Sequence, residues 1–165
     1  MKINNNSNWI CSIDPGIRKF QTIYSPDNDN YITIGEKASS VLYNNLLKLD
    51  KLFSKRNSKN ILKIKKLRLK IDNLQRELHY KTINFLCNNY KNIYIPKLTK
   101  QNDIIKVFNR KINCKTVRNM VVLGHCKFIE RLKTKAEEFT NVKINIITEE
   151  YTSQKCLKCK TFTKT

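Results

Sequence analysis

Trp9-Ile10-Cys11-Ser12-Ile13-Asp14-Pro15-Gly16-Ile17-Arg18-Lys19-Phe20-Gln21-Thr22-Ile23-Tyr24 is the stretch that decides the fold. An apolar run ends in a carboxylate, Pro-Gly turns the chain at once, and a second apolar-alternating run follows. That order predicts a strand over residues 9–14, a tight turn, and an antiparallel return strand over 17–24. Asp14 then stands at a strand end on a rigid scaffold, which is what a metal-holding acid needs. The plainer alternative is that Asp14 only opens the turn, since Asp and Pro are both common turn residues.

Working outward, residues 1–8 are polar and Asn-rich and read as a frayed start. The turn chemistry of Ser25-Pro26-Asp27-Asn28-Asp29-Asn30 leads into a third short strand at 31–34, giving an antiparallel meander. The period then changes. Leu42, Leu46, Leu49 and Phe53, and then Ile64, Leu67, Ile71, Leu74 and Leu78, recur three and four apart. Such spacing predicts two amphipathic helices with a narrow packing seam. A break near Arg56-Asn57-Ser58, where Asn or Ser can cap, makes them a helical hairpin over about residues 36–88. Asn92-Ile93-Tyr94-Ile95-Pro96 reads as a short buried strand ended by its proline. One helix is expected from about Thr116 to Phe139, with Met120, Gly124, Phe128, Leu132 and Ala136 along one face. A last strand follows at 142–147.

The fold class is therefore α/β: a mixed sheet of about five strands, with a long helical hairpin inserted after the third. Meander, helix, strand, helix, strand is the order of the RNase H-like fold. Strands separated by helices should be parallel, with right-handed crossovers. Residues 1–150 read as one domain and 151–165 as a short C-terminal stub.

Charge narrows the partner. The 165 residues hold 33 Lys and Arg against 13 Asp and Glu, a formal charge of +20. A chain this basic repels itself unless it neutralises a polyanion, so nucleic acid is the expected partner. The density is greatest between Lys48 and Lys81, and Lys55, Arg56, Lys59, Lys63, Lys66 and Lys70 suit a phosphate track. A solvated helix face is the alternative. With neither a secretory signal nor an apolar run of membrane length, the reading is an intracellular protein, in cytoplasm or nucleus. Six cysteines without framework spacing point to reduced thiols.

Glu149 follows the last strand directly and is the best partner for Asp14. Carboxylates gathered from separate strand ends can hold divalent metals, and oxygen ligands suit Mg2+ or Mn2+. Glu150 leaves the opposite face if the backbone stays extended. The alternative for both is a solvated acidic pair. Cys156 and Cys159 have the spacing of half a zinc knuckle, where a structural Zn2+ site wants four ligands. Cys11, Cys87, Cys114 and Cys126 are read as core residues. His125 adjoins Cys126 on a helix and His79 stands alone; neither is read as a metal ligand.

Together these pieces resemble the TnpB (OrfB) family of transposon-encoded nucleases and their Fanzor relatives. The resemblance covers about residues 9–160. Its anchors are Ile13-Asp14-Pro15-Gly16-Ile17-Arg18, Leu78-His79-Tyr80-Lys81 and Asn89 through Leu98. Arg118, His125-Cys126-Lys127-Phe128, and Glu149 through Cys159 complete the set. It implies a RuvC-like domain of an RNA-guided DNA endonuclease, with DNA and guide RNA as partners and a two-metal site. By resemblance Asp14 is the first catalytic carboxylate, and Glu149 matches a relocated second one, since Pro96 stands where many members carry glutamate. The Tyr-Thr-Ser-x-x-Cys-x-x-Cys run leads into a zinc-binding target-nucleic-acid module. Against the family pattern a second Cys pair, a third carboxylate and a long N-terminal region are missing. A C-terminally truncated nuclease domain, weak or inactive alone, is therefore expected. The alternative is a non-catalytic basic nucleic-acid-binding remnant of such an element.

Overall fold

The computed structural model describes residues 9–26, 30–55, 57–98 and 113–148. The meander consists of β1 (Ile10–Pro15), β2 (Gln21–Ser25) and β3 (Asn30–Ile34). It is antiparallel, with Asp14 opposite Thr22 and Tyr24 opposite both Ser12 and Tyr31. After the hairpin helices α1 (Ala38–Ser54) and α2 (Ser58–Asn89), β4 (Asn92–Pro96) returns parallel to β1. Two shorter helices follow, α3 (Cys114–Leu123) and α4 (His125–Ala136), and then β5 (Lys143–Ile147), parallel to β4. The described strands form one sheet in the order β3-β2-β1-β4-β5. The expected mixed sheet, with its hairpin after the third strand, is what forms.

Alternation decides which sheet face is covered. Along β1, Cys11 and Ile13 are buried while Ser12 and Asp14 are exposed. Ile23, Ile93 and Ile95 join the buried set and share one core with Ile83 and Leu86 of α2 and Phe128 and Leu132 of α4. Each such side chain contributes about 1.5–3 kcal/mol when fully buried. The hairpin seam holds as read: Leu42, Leu49, Ile64 and Ile71 are buried, with Leu46, Phe53, Leu67, Leu74 and Leu78 packed against them. Asn57 caps α2, its side chain accepting from the Asn60 N–H at 3.0 Å.

Three expectations are corrected. The turn after Asp14 is not tight, and β2 begins at Gln21 rather than residue 17. Residues 16–20 form a loop because Phe20 is drawn into the core, fully buried. Its N–H donates to the Ile34 carbonyl at 2.8 Å and its carbonyl accepts from the Gly16 N–H at 3.3 Å. Second, the single helix expected to Phe139 is broken at Gly124, which sits at φ 63° and ψ 47°. Gln75 explains the break. Its Nε2 donates to the Val122 carbonyl at 2.6 Å, and a Cβ on Gly124 would come within 2.7 Å of that same nitrogen. The broken end also gives its Leu123 carbonyl to His79 Nε2, at 2.7 Å. Carbonyls that a continuous helix would bond internally are thus satisfied from α2. Third, of the four cysteines among the described residues only Cys11 and Cys87 are core thiols; Cys114 is exposed, because it opens α3 at the surface, and Cys126 is half-buried.

Candidate functional site

Parallel pairing puts the C-terminal ends of β1, β4 and β5 on one edge of the sheet. Pro96 pairs with Ile147 there, and Asp14 stands near the end of the neighbouring strand. Asp14 is exposed and points to the face away from the core. Among the described residues its carboxylate makes no hydrogen bond or ion pair. Oxygens so placed keep their lone pairs for a hard divalent cation, so the donor chemistry fits Mg2+ or Mn2+. No group of three or more His, Cys, Asp or Glu able to hold a metal occurs among the described residues. Glu149, Glu150, Cys156 and Cys159 lie outside them. β5 ends at Ile147, two residues before Glu149. Pro96 is buried as the last residue of β4 and brings no carboxylate to this edge.

The loop behind Asp14 is held by two histidines from separate helices. His125, first residue of α4, has Nε2 3.0 Å from the Gly16 carbonyl oxygen. Its Nδ1 faces Gln21 Nε2 at 3.5 Å. Nε2–H therefore donates to Gly16, and Nδ1 is the acceptor. Phe20 lies between the two imidazoles, stacked on His79 at 5.2 Å and on His125 at 5.1 Å, with Phe128 edge-on at 5.1 Å. Arg131 donates to His79 Nδ1 at 2.9 Å, which leaves Nε2–H of His79 to donate to Leu123. Burial pushes the His79 pKa down to about 4, against the opposing pull of the Leu123 carbonyl. Burial likewise lowers that of His125, opposed by the Gly16 carbonyl and by the charge of Asp14. Both rings are neutral near pH 7.

Sequence reasoning set these histidines aside as an isolated residue and a helix neighbour. A usable signal was present: Gln75, His79 and Thr82 fall at helical spacing with apolar Ile71, Ile83 and Leu86, so polar groups enter a buried stripe and must find partners there. The core thiols are not ligands of this site. Burial pushes Cys11 up to about 12 and raises Cys87 as well, so neither offers a thiolate.

The proposed phosphate track lies elsewhere. Lys55, Lys63, Lys66 and Lys70 are exposed along the tip and outer half of the hairpin. Arg56 and the side chain of Lys59 lie outside the described residues. Lys63 and Lys70 are about 30–40 Å along α2 from its Asn89 end, at 1.5 Å per residue. Arg118, another anchor of the resemblance, ties α3 to α1 through Asp50 at 2.7 Å. A cavity of about 360 Å³ lined by Trp9, Cys87, Tyr90, Phe139 and Val142 opens at the opposite, N-terminal end of the parallel strands. Among the described residues no helix is long and apolar enough to cross a membrane.

No protein-family model matches the chain. Curated relatives do. The TnpB-like proteins L79 and L770 of Acanthamoeba polyphaga mimivirus are each 28% identical over 159 residues, covering 90% of this chain and 30% of theirs. The chain is similar to the TnpB-like proteins. A protein of the same virus that bears the provisional name transposase R186 is 27% identical over 165 residues, 90% of this chain and 32% of its own. The chain thus spans about 30% of the length of the TnpB-like proteins it matches. Among solved structures, a chain of the cryo-EM Cas12f1–sgRNA–target DNA complex superposes with a TM-score of 0.56 at 16% identity, covering 97% of this chain and 41% of that one. That likeness is one of fold.

Proposed function

We propose that this chain is the RuvC-like, RNase H-like nuclease domain of a mobile-element DNA endonuclease, with Asp14 and Glu149 as its metal-holding acids. The observation that carries the reading is Asp14: an exposed carboxylate at the end of the central strand, beside the ends of two parallel strands, the last of which leads into Glu149. The likeness to TnpB-like proteins and to a transposase-named relative supports the same ancestry. When bound, a Mg2+ or Mn2+ pair supplies the Lewis-acid clamp on the attacking and leaving oxygens of a phosphodiester. The chain's own part is to present the two carboxylates from a rigid sheet edge. The lysines of the hairpin, Lys55, Lys59, Lys63, Lys66 and Lys70, with Arg56, draw in the phosphate backbone. A guide RNA and target DNA, the partners named for the Cas12f1 complex, belong to this reading. So does a Zn2+ held in part by Cys156 and Cys159, which supply two of the four ligands of a closed site.

A Mn2+ titration read by water-proton relaxation, run beside DNA binding at low salt, tests this. Wild type should bind Mn2+, Asp14→Asn and Glu149→Gln should each lose most of that binding, and all three should still bind DNA. Mn2+ binding that ignores Asp14→Asn overturns the nuclease reading. DNA binding that survives without any Mn2+ site leaves a basic nucleic-acid-binding domain in its place.

A further inference from the structure

His125 belongs to no strand of the sheet, yet its imidazole holds the loop that leaves Asp14. Gly16 is two residues past Asp14, and its carbonyl is the acceptor that His125 Nε2–H reaches at 3.0 Å. The loop has little slack there: a Cβ on Gly16 would lie 2.7 Å from the Lys19 carbonyl oxygen, and the Gly16 N–H is already given to Phe20. At the loop's far end Phe20 is locked between the two imidazoles and bonded through its backbone to Ile34. His125 touches both ends of the loop, by hydrogen bond at Gly16 and by ring contact at Phe20. The left-handed turn at Gly124 sets its place, opening α4 with His125.

We propose that His125 is a positioning residue for the metal-holding carboxylate: by fixing the Gly16 carbonyl just past β1 it fixes the strand end that carries Asp14. The proposal rests on the reading of Asp14 as a metal ligand. A carboxylate that must be ordered when the cation arrives binds it more weakly than one already aimed, because the ordering cost is charged against the contact. The ring and the donor are separable functions. His125→Phe keeps a ring against Phe20 and removes the donor; His125→Gln keeps an N–H donor and removes the ring.

The test uses the 165-residue chain and two readouts, hydrogen exchange over residues 14–20 and Mn2+ affinity. His125→Phe should speed exchange in that segment by about fivefold, the worth of one hydrogen bond, and weaken Mn2+ by a similar factor, with α2 protection unchanged. His125→Gln should recover most of both. Unchanged exchange and affinity in His125→Phe overturns the proposal. So does a Gln variant as poor as the Phe variant, which would show that restoring the donor does not restore the loop. Should the Phe variant not fold, exchange of the His125 Nε2–H in the wild type decides: slow exchange supports the bond and fast exchange refutes it. Failure of the metal reading itself shows separately, as wild-type Mn2+ binding that Asp14→Asn leaves intact, and takes the proposal with it.

Discussion

His79 enters the core without a charge, and this sets how the protein answers to acid. Its ring is fully buried, and burial pushes its pKa from 6.5 down to about 4. The sign follows from proton counts. Between those two values the unfolded chain holds a proton that the folded ring refuses, so stability is complete above about pH 6.5 and falls as the pH drops toward 4. The loss approaches about 3 kcal/mol across that window, at about 1.36 kcal/mol for each unit. Urea midpoints measured from pH 7 to pH 5 should fall in wild type and fall less in His79→Gln; a flat wild-type profile would contradict the buried neutral ring. A second prediction concerns the acids. Glu149→Gln should remove most Mn2+ binding, while Glu150→Gln should matter much less if the strand's extended path continues to them, since successive side chains of an extended backbone leave opposite faces. Pro96→Glu, which adds a carboxylate at the last residue of β4, should partly restore Mn2+ to Glu149→Gln if both positions reach the same ions. Equal losses in the two glutamine variants would deny the assignment. The place of Asp14 near a strand end was legible in the sequence because its signal is local: an apolar run, an acid, then Pro-Gly. The roles of His79 and His125 were not, because their partners lie 44 and 109 residues away. A single histidine has no periodicity to betray that.

At the level of elements, the hairpin was readable and the helix pair after it was not. The hairpin seam is a run of Leu and Ile at three- and four-residue spacing within each helix, and its break is marked by a capping Asn57. Met120, Gly124, Phe128, Leu132 and Ala136 keep the same spacing, but the helix divides at Gly124. The competing force is tertiary. Gln75 and His79 reach across from α2 for the Val122 and Leu123 carbonyls, and the Gln75 side chain fills the space a Cβ would need. Gly124→Ala should therefore destabilise the protein, by about 1–2 kcal/mol for the left-handed backbone alone. The Gln75 contact at 2.7 Å adds to that cost. Chemical denaturation measures it. A neutral or stabilising Gly124→Ala would mean that a continuous helix suits this fold after all. The loop at residues 16–20 escaped prediction for a related reason: Pro-Gly chemistry marks a turn but not its length, which Phe20 sets by entering the core.

The whole molecule carries +20, and the sheet order and parallel pairs that position Asp14 follow from the succession of elements along the chain. Charge of that size should make nucleic-acid binding strongly dependent on salt and nearly indifferent to sequence. If the hairpin lysines engage about six phosphates, log affinity against log salt should slope near −5 on duplex DNA. Replacing Lys63, Lys66 and Lys70 together should flatten that slope by about 3; an unchanged slope would move the contact surface off α2. The central claim is that Asp14 and Glu149 hold the metal at one sheet edge. Fe2+ in place of Mg2+, with ascorbate and peroxide, cuts the polypeptide wherever the ion sits, and the fragments read out its address. The account predicts cuts near residue 14, near residues 96–98 at the end of β4, and near 148–150, all suppressed by excess Mg2+ and lost in Asp14→Asn. Cuts confined to the Cys156–Cys159 segment, or a cutting pattern unchanged by Asp14→Asn, would contradict it.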